Sequence, residues 1–156
     1  MKTVALLFFA FELVYTAPTQ DEHHLLKRIM DTVNDLLKTG PEFLSSIVPH
    51  QFDRERCGRK GPEDFCIAEK ILTDINYTKY GIPENREIHR FLIQYNKFHP
   101  NNCTVDKDEE EEQLRALLED LYCCAQVKYS RRNHKRAQRS ADRNQWNIHQ
   151  CAKQHF

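Results

Sequence analysis

The chain has 156 residues, with 23 Lys+Arg against 23 Asp+Glu and hence a formal net charge of zero. That balance excludes the global basic excess expected of a nucleic-acid binder. Four glycines, six prolines and 40% hydrophobic residues exclude a collagen-like or wholly disordered chain, and the length predicts one domain.

A leader comes first. Met1-Lys2 gives a positive start, Val4–Phe11 an apolar run and Thr16–Thr19 the small residues of a cleavage region, with Glu12 and Pro18 as interruptions. This pattern predicts a signal peptide over 1–19, cut between 16 and 19, and a secreted, extracellular protein. No stretch approaches the roughly 18 consecutive apolar residues of a membrane-spanning helix, so no membrane partner is expected.

Helical periodicity then appears four times, and sustained strand alternation does not appear. The fold class expected is therefore all-α. In Asp21–Lys38, Leu25, Leu26, Ile29, Met30, Val33, Leu36 and Leu37 share one face, while Arg28, Asp31, Asp35 and Lys38 share the other. Gly40-Pro41 ends that helix. The connection over Pro41–Gly61 is long. Its EFLSSIV half is apolar enough to pack as a short turn of helix. Its polar half carries Cys57, and a disulfide there is the simplest covalent tie.

The second helix starts at Gly61-Pro62-Glu63-Asp64, with Pro and acids in the first turn. Phe65, Ala68, Ile71, Leu72 and Ile75 form its stripe, and Cys66 sits about a third of a turn off it, placed to reach a loop. The third helix, Glu84–Phe98, carries Ile88, Phe91, Leu92, Tyr95 and Phe98 inward and Arg86, Arg90, Ile93 and Lys97 outward, and His99-Pro100 stops it. The acidic run Asp108–Glu112 is expected to open the fourth helix and to interact with its dipole rather than bind a cation. Leu114, Leu117, Leu118, Leu121 and Ala125 form the stripe of that helix.

All six cysteines (Cys57, Cys66, Cys103, Cys123, Cys124 and Cys151) follow the leader. In an oxidising compartment an even number predicts up to three disulfides, whose pairing the sequence leaves open. Cys123 and Cys124 are neighbours on a helix and diverge too far to bond each other. Cys124 borders the apolar face and Cys123 points away from it, placed to tie down a loop or the tail. Two sequons, Asn76-Tyr77-Thr78 and Asn102-Cys103-Thr104, mark candidate glycosylation sites.

The segment 130–156 is a basic C-terminal tail, in which Arg136-Ala137-Gln138-Arg139 looks like a minimal dibasic-type processing site. Two readings compete with a solvated tail tethered through Cys151. One is a precursor, and the other a protein that binds cell-surface anionic glycans through this segment. No catalytic constellation is present: there is no G-x-S-x-G, no phosphate-cradling glycine loop and no H-E-x-x-H. His23-His24 and His149-x-Cys151 lack the partners of a structural zinc site. Neither an enzyme nor a metal or cofactor is expected. An insulin-type hormone is excluded as well, because Lys128 stands where its spacing requires a cysteine.

With these residues in view, Leu26–Leu36 (LKRIMDTVNDL) resembles the first helix of interleukin-4. Glu63–Leu72 (EDFCIAEKIL) resembles the second-helix signature of interleukin-4 and interleukin-13. Arg90-Phe91-Leu92 resembles part of the third helix, and Asn102-Cys103 falls where a loop cysteine occurs. The chain is thus similar, over roughly Glu22–Tyr129, to the interleukin-4/13 cytokines, most closely to those of lower vertebrates. The resemblance implies a cytokine domain over 20–129 built as a short-chain, up-up-down-down four-helix bundle. It also implies binding to cell-surface receptor ectodomains of the interleukin-4 receptor family, as a monomer, in type 2 immune responses. It pairs Cys66 with Cys103.

Three departures accompany the resemblance. The acidic receptor contact of the family's first helix aligns at Arg28, of opposite charge, with Asp31 one turn later as a substitute. Its basic partner aligns at Lys97, which keeps the charge without the bidentate geometry. Arg28, Asp31, Arg90 and Lys97 are accordingly the candidate receptor contacts. Cys57 lacks the family's expected partner, which leaves Cys123, Cys124 or Cys151, and the basic tail has no counterpart. The loop Phe98–Asp108 spans about 30 Å extended against about 22 Å for a 15-residue helix. An overhand crossover is possible but tight, and an up-down bundle is the alternative topology.

Overall fold

The computed structural model describes residues 21–52, 57, 63–83, 86–106 and 110–137. The leader, the processing site and Cys151 lie outside them. The described residues are mostly helical: α1 (Glu22–Leu37), α2 (Pro41–Leu44), α3 (Glu63–Thr73), a 3-10 turn (Tyr77–Tyr80), α4 (Arg86–Phe98) and α5 (Leu114–Ala137). Two short strands, β1 (Ile47–Pro49) and β2 (Glu111–Gln113), complete them. None of the described helices is long and apolar enough to cross a membrane.

α1 begins where the Asp21 carboxylate accepts a hydrogen bond from the His23 amide at 3.3 Å, satisfying one of the donors a helix start leaves over. Its apolar stripe packs as the periodicity requires, with Leu25, Leu26, Ile29 and Val33 fully buried. Removing the cap with Asp21→Ala is expected to cost about 1 kcal/mol and to lower Tm by a few degrees in thermal circular dichroism.

Each of the four long helices contributes a stripe to one core. Phe65, Ala68 and Leu72 enter from α3, Ile88, Phe91, Leu92 and Tyr95 from α4, and Leu114, Leu117, Leu118 and Leu121 from α5. α1 lies along both α5 and α4, and α3 lies along α4. Side-chain contacts join them. At the start of α1, Glu22 meets His99, just past the end of α4, at 2.6 Å, and His23 stacks on Tyr129 of α5 with ring centroids 3.8 Å apart. Farther along α1, Arg28 reaches Phe91. Phe65, near the start of α3, meets Tyr95 of α4 at 4.5 Å between centroids. The Asn96 side-chain amide donates to the Phe65 carbonyl at 3.3 Å and to the Glu69 carboxylate at 2.6 Å.

Several expectations change here. The EFLSSIV half of the first connection does form a turn of helix, α2, with Phe43 and Leu44 buried. The remaining Ile-Val-Pro is a strand, although no strand was expected. It pairs antiparallel with Glu111–Gln113, Val48 opposite Glu112. Glu111 and Glu112 therefore do not stand in the first turn of α5, which starts only at Leu114. The ladder takes one amide that the start of α5 would leave unpaired, Leu114 donating to the Ser46 carbonyl at 2.7 Å, and at its other end the His50 amide donates to the Glu110 carbonyl at 2.7 Å. His50 Nδ1 also lies 3.0 Å from the Glu112 carboxylate, and the Gln51 side chain donates to the Asp106 carbonyl. The ribbon thus ties the α1–α3 connection to the α4–α5 connection.

Phe98, assigned to the α4 stripe by periodicity, is 47% exposed. It sits at the edge of the stripe in the last turn, and His99 turns inward to Glu22 instead. Burial, then the nearby Lys128 charge, holds the His99 imidazole below its ordinary pKa. α5 runs through Ala137, past Tyr129, so the first residues of the basic segment continue the helix.

Candidate functional site

The cysteines set the frame that holds the helix faces in place. Cys66, one residue after Phe65 on α3, bonds Cys103 in the α4–α5 connection, with Cα atoms 6.1 Å apart. This is the pairing that the interleukin resemblance implies. Lys70, one turn after Cys66, donates to the Cys103 carbonyl from the same face of α3. Cys57 bonds Cys124 across 67 residues of chain, with Cα atoms 5.5 Å apart, and both are buried. Of the three partners the sequence left open, the one on the apolar edge of α5 takes the bond.

Cys123, expected to point away from the apolar face and to tie down a loop or the tail, is disulfide-bonded, but it is buried. Its bond falls outside the described residues, and Cys151 is the cysteine that the other two bonds leave over.

Two of the four candidate contacts are brought together. Arg28 of α1 and Arg90 of α4 converge on one ring, with their guanidinium carbons 4.9 Å and 5.2 Å from the centroid of Phe91. Each such contact contributes about 0.5–1 kcal/mol at an exposed site. Phe91 itself is buried, so the ring is a floor that orients two exposed cations rather than a contact surface. Among the described residues neither guanidinium lies within ion-pair distance of a carboxylate.

The other two candidates do not meet that ring. Asp31 is exposed on α1, one turn past Arg28. Lys97 is exposed on α4 seven residues past Arg90, about 10 Å along the helix axis. Between them, on the outer face of α4, Ile93 is 43% exposed. The face therefore offers three cations, one acid and an apolar side chain. Arg28 and Arg90 as neighbours were not visible in the sequence, because nothing in either helix pattern states which rows of α1 and α4 abut. The one signal was Phe91 directly after Arg90 on the α4 stripe.

Chemically, exposed cations of this kind attract an anionic partner. A carboxylate that accepts from a guanidinium makes charge-assisted hydrogen bonds, which are roughly twice as strong as neutral ones. No cluster of three or more metal-ligating side chains occurs among the described residues. No protein-family model matches the chain, and no curated protein and no solved structure matches it.

Proposed function

We propose that the protein is a secreted cytokine of interleukin-4/13 type that binds receptor ectodomains of the interleukin-4 receptor family through the outer face of α1 and α4. The observation that carries this reading is the pair Arg28 and Arg90, oriented on Phe91 without an internal carboxylate partner among the described residues. Charges built up at a surface without partners of their own steer and select a partner of opposite sign. Ile93 supplies the apolar anchor that such a rim surrounds.

The bundle topology in this proposal is up-up-down-down. Three contacts support it: Glu22 with His99, His23 with Tyr129, and Phe65 with Tyr95 join the start of α1 to the end of α4 and the later half of α5, and the start of α3 to the end of α4, as antiparallel neighbours would. Two long connections laced together by the β1–β2 ribbon are what overhand crossovers require, since each must travel the length of the bundle. Disulfides in the described residues fit an oxidising compartment, and with the leader they support secretion.

Reversing both charges with Arg28→Glu and Arg90→Glu is expected to weaken receptor binding about 100-fold, close to 2.8 kcal/mol. The loss falls mainly in the association rate and flattens its dependence on salt. Lys97→Glu alone is expected to weaken binding less, because Lys97 stands off the Phe91 pair. Surface plasmon resonance with immobilised receptor ectodomain measures both. Affinity unchanged in the double variant removes this face from the binding site, and unchanged affinity in Lys97→Glu removes Lys97.

A further inference from the structure

The two sequons differ in one physical respect: what holds the middle residue. In the folded chain Asn76 caps the 3-10 turn, its Oδ1 accepting from the Thr78 hydroxyl at 2.7 Å and from the Lys79 amide at 3.2 Å. A backbone amide needs an acceptor, so the atom it faces is the oxygen, and Nδ2 points away from the turn. Asn76 is exposed, and Nδ2 makes no hydrogen bond among the described residues. A substituent on Nδ2 therefore costs the fold none of its contacts. Asn102 is exposed too, but Cys103, the next residue, is buried, bonded to Cys66 and held through its carbonyl by Lys70.

We propose that Asn76 carries an N-linked oligosaccharide, and that Asn102 is left unmodified because closure of the Cys66–Cys103 bond competes with its glycosylation. In the transfer, Nδ2 attacks the anomeric carbon of a lipid-pyrophosphate-linked oligosaccharide. A C–N bond forms, the bond from that carbon to the pyrophosphate oxygen breaks, and the amide gives up one proton and keeps the other. In the competing step the Cys66 and Cys103 thiols yield two protons and two electrons to a protein disulfide of the secretory lumen.

Chain order decides between them. Cys66 precedes Cys103 by 37 residues, so it has entered the lumen before Asn102 can be used, and the bond can close as Cys103 arrives. Once closed, the bond pins the middle of the sequon against α3. Tyr77, the middle of the other sequon, has no covalent tie: its ring meets Phe43 and His89 and its hydroxyl donates to the Leu72 carbonyl at 3.3 Å, and His89 of α4 arrives only after Asn76 has passed. Asn76 is open during transfer; Asn102 is not.

The inference rests on secretion but not on receptor binding. The test is expression of the full chain, leader included, in animal cells, with glycans counted on total and secreted protein by gel shift before and after amidase release. Wild type is expected to carry one glycan, lost in Asn76→Gln and unaffected in Asn102→Gln. Cys66→Ser is expected to raise Asn102 occupancy several-fold. Counting total cell protein keeps this readout valid even where that variant fails to fold, because the gel shift counts transferred glycans whether or not the chain reaches its final fold. A wild type with Asn102 fully occupied, or no rise in Cys66→Ser, overturns the competition. Protein in the medium without a glycan overturns the Asn76 assignment and leaves secretion standing, whereas protein confined to the cytosol overturns secretion as well.

Discussion

Replacing Cys57 and Cys124 together by alanine is expected to lower stability by about 4 kcal/mol, and Tm by roughly 15 °C. The bond closes a span of 67 residues that contains α3 and begins in a long connection with few other anchors. Without it the unfolded chain regains most of the loop freedom that the cross-link removes. Both sulfurs are buried, so the double variant leaves a small cavity but no unpaired thiol, and changing both partners avoids scrambling with Cys123. Thermal circular dichroism at 222 nm reads the effect. A loss below about 1 kcal/mol would mean that the ribbon and the helix stripes hold the connection without the bond.

The second large effect is expected at Phe65→Ala, which should cost about 3–5 kcal/mol. Phe65 is fully buried where α3, α4 and α5 meet. Its ring contacts Tyr95 on one side, and the Lys128 ammonium lies 5.4 Å from its centroid. Truncation removes the transfer energy of the ring and leaves a cavity whose walls are fixed by a neighbouring disulfide, so little collapse can offset it. Tyr95→Phe provides the contrast, since it keeps the ring volume and is expected to cost far less than Phe65→Ala. Urea denaturation separates the two cases through the midpoint at similar m-value. Equal losses in both would place the energy in a Tyr95 hydrogen bond rather than in packing.

The four long helices were legible in the sequence because each repeats its apolar residues often enough to state a face. Leu25 to Leu37 and Ile88 to Tyr95 are buried as that periodicity requires. The ribbon was not legible. Three residues per strand are too few to show alternation, and the acids of β2 imitate a helix start. Only the approach of Ile47–Pro49 from more than sixty residues away turns Glu111–Gln113 into a strand. Among the cysteines, the outward position of Cys66 pointed to a loop partner, while the choice of Cys124 for Cys57 depended on where the long connection crosses α5. For the proposed face, residue types and helix sides were readable, but the meeting of Arg28 and Arg90 on Phe91 is tertiary information.

The most direct measurement is equilibrium and kinetic binding of the refolded chain, without its leader, to interleukin-4-receptor-family ectodomains of the same animal by surface plasmon resonance. The proposed function requires saturable binding in the nanomolar range, with an association rate that falls as salt rises. Absence of binding to every such ectodomain, by protein whose circular dichroism reports a folded helical chain, would contradict it.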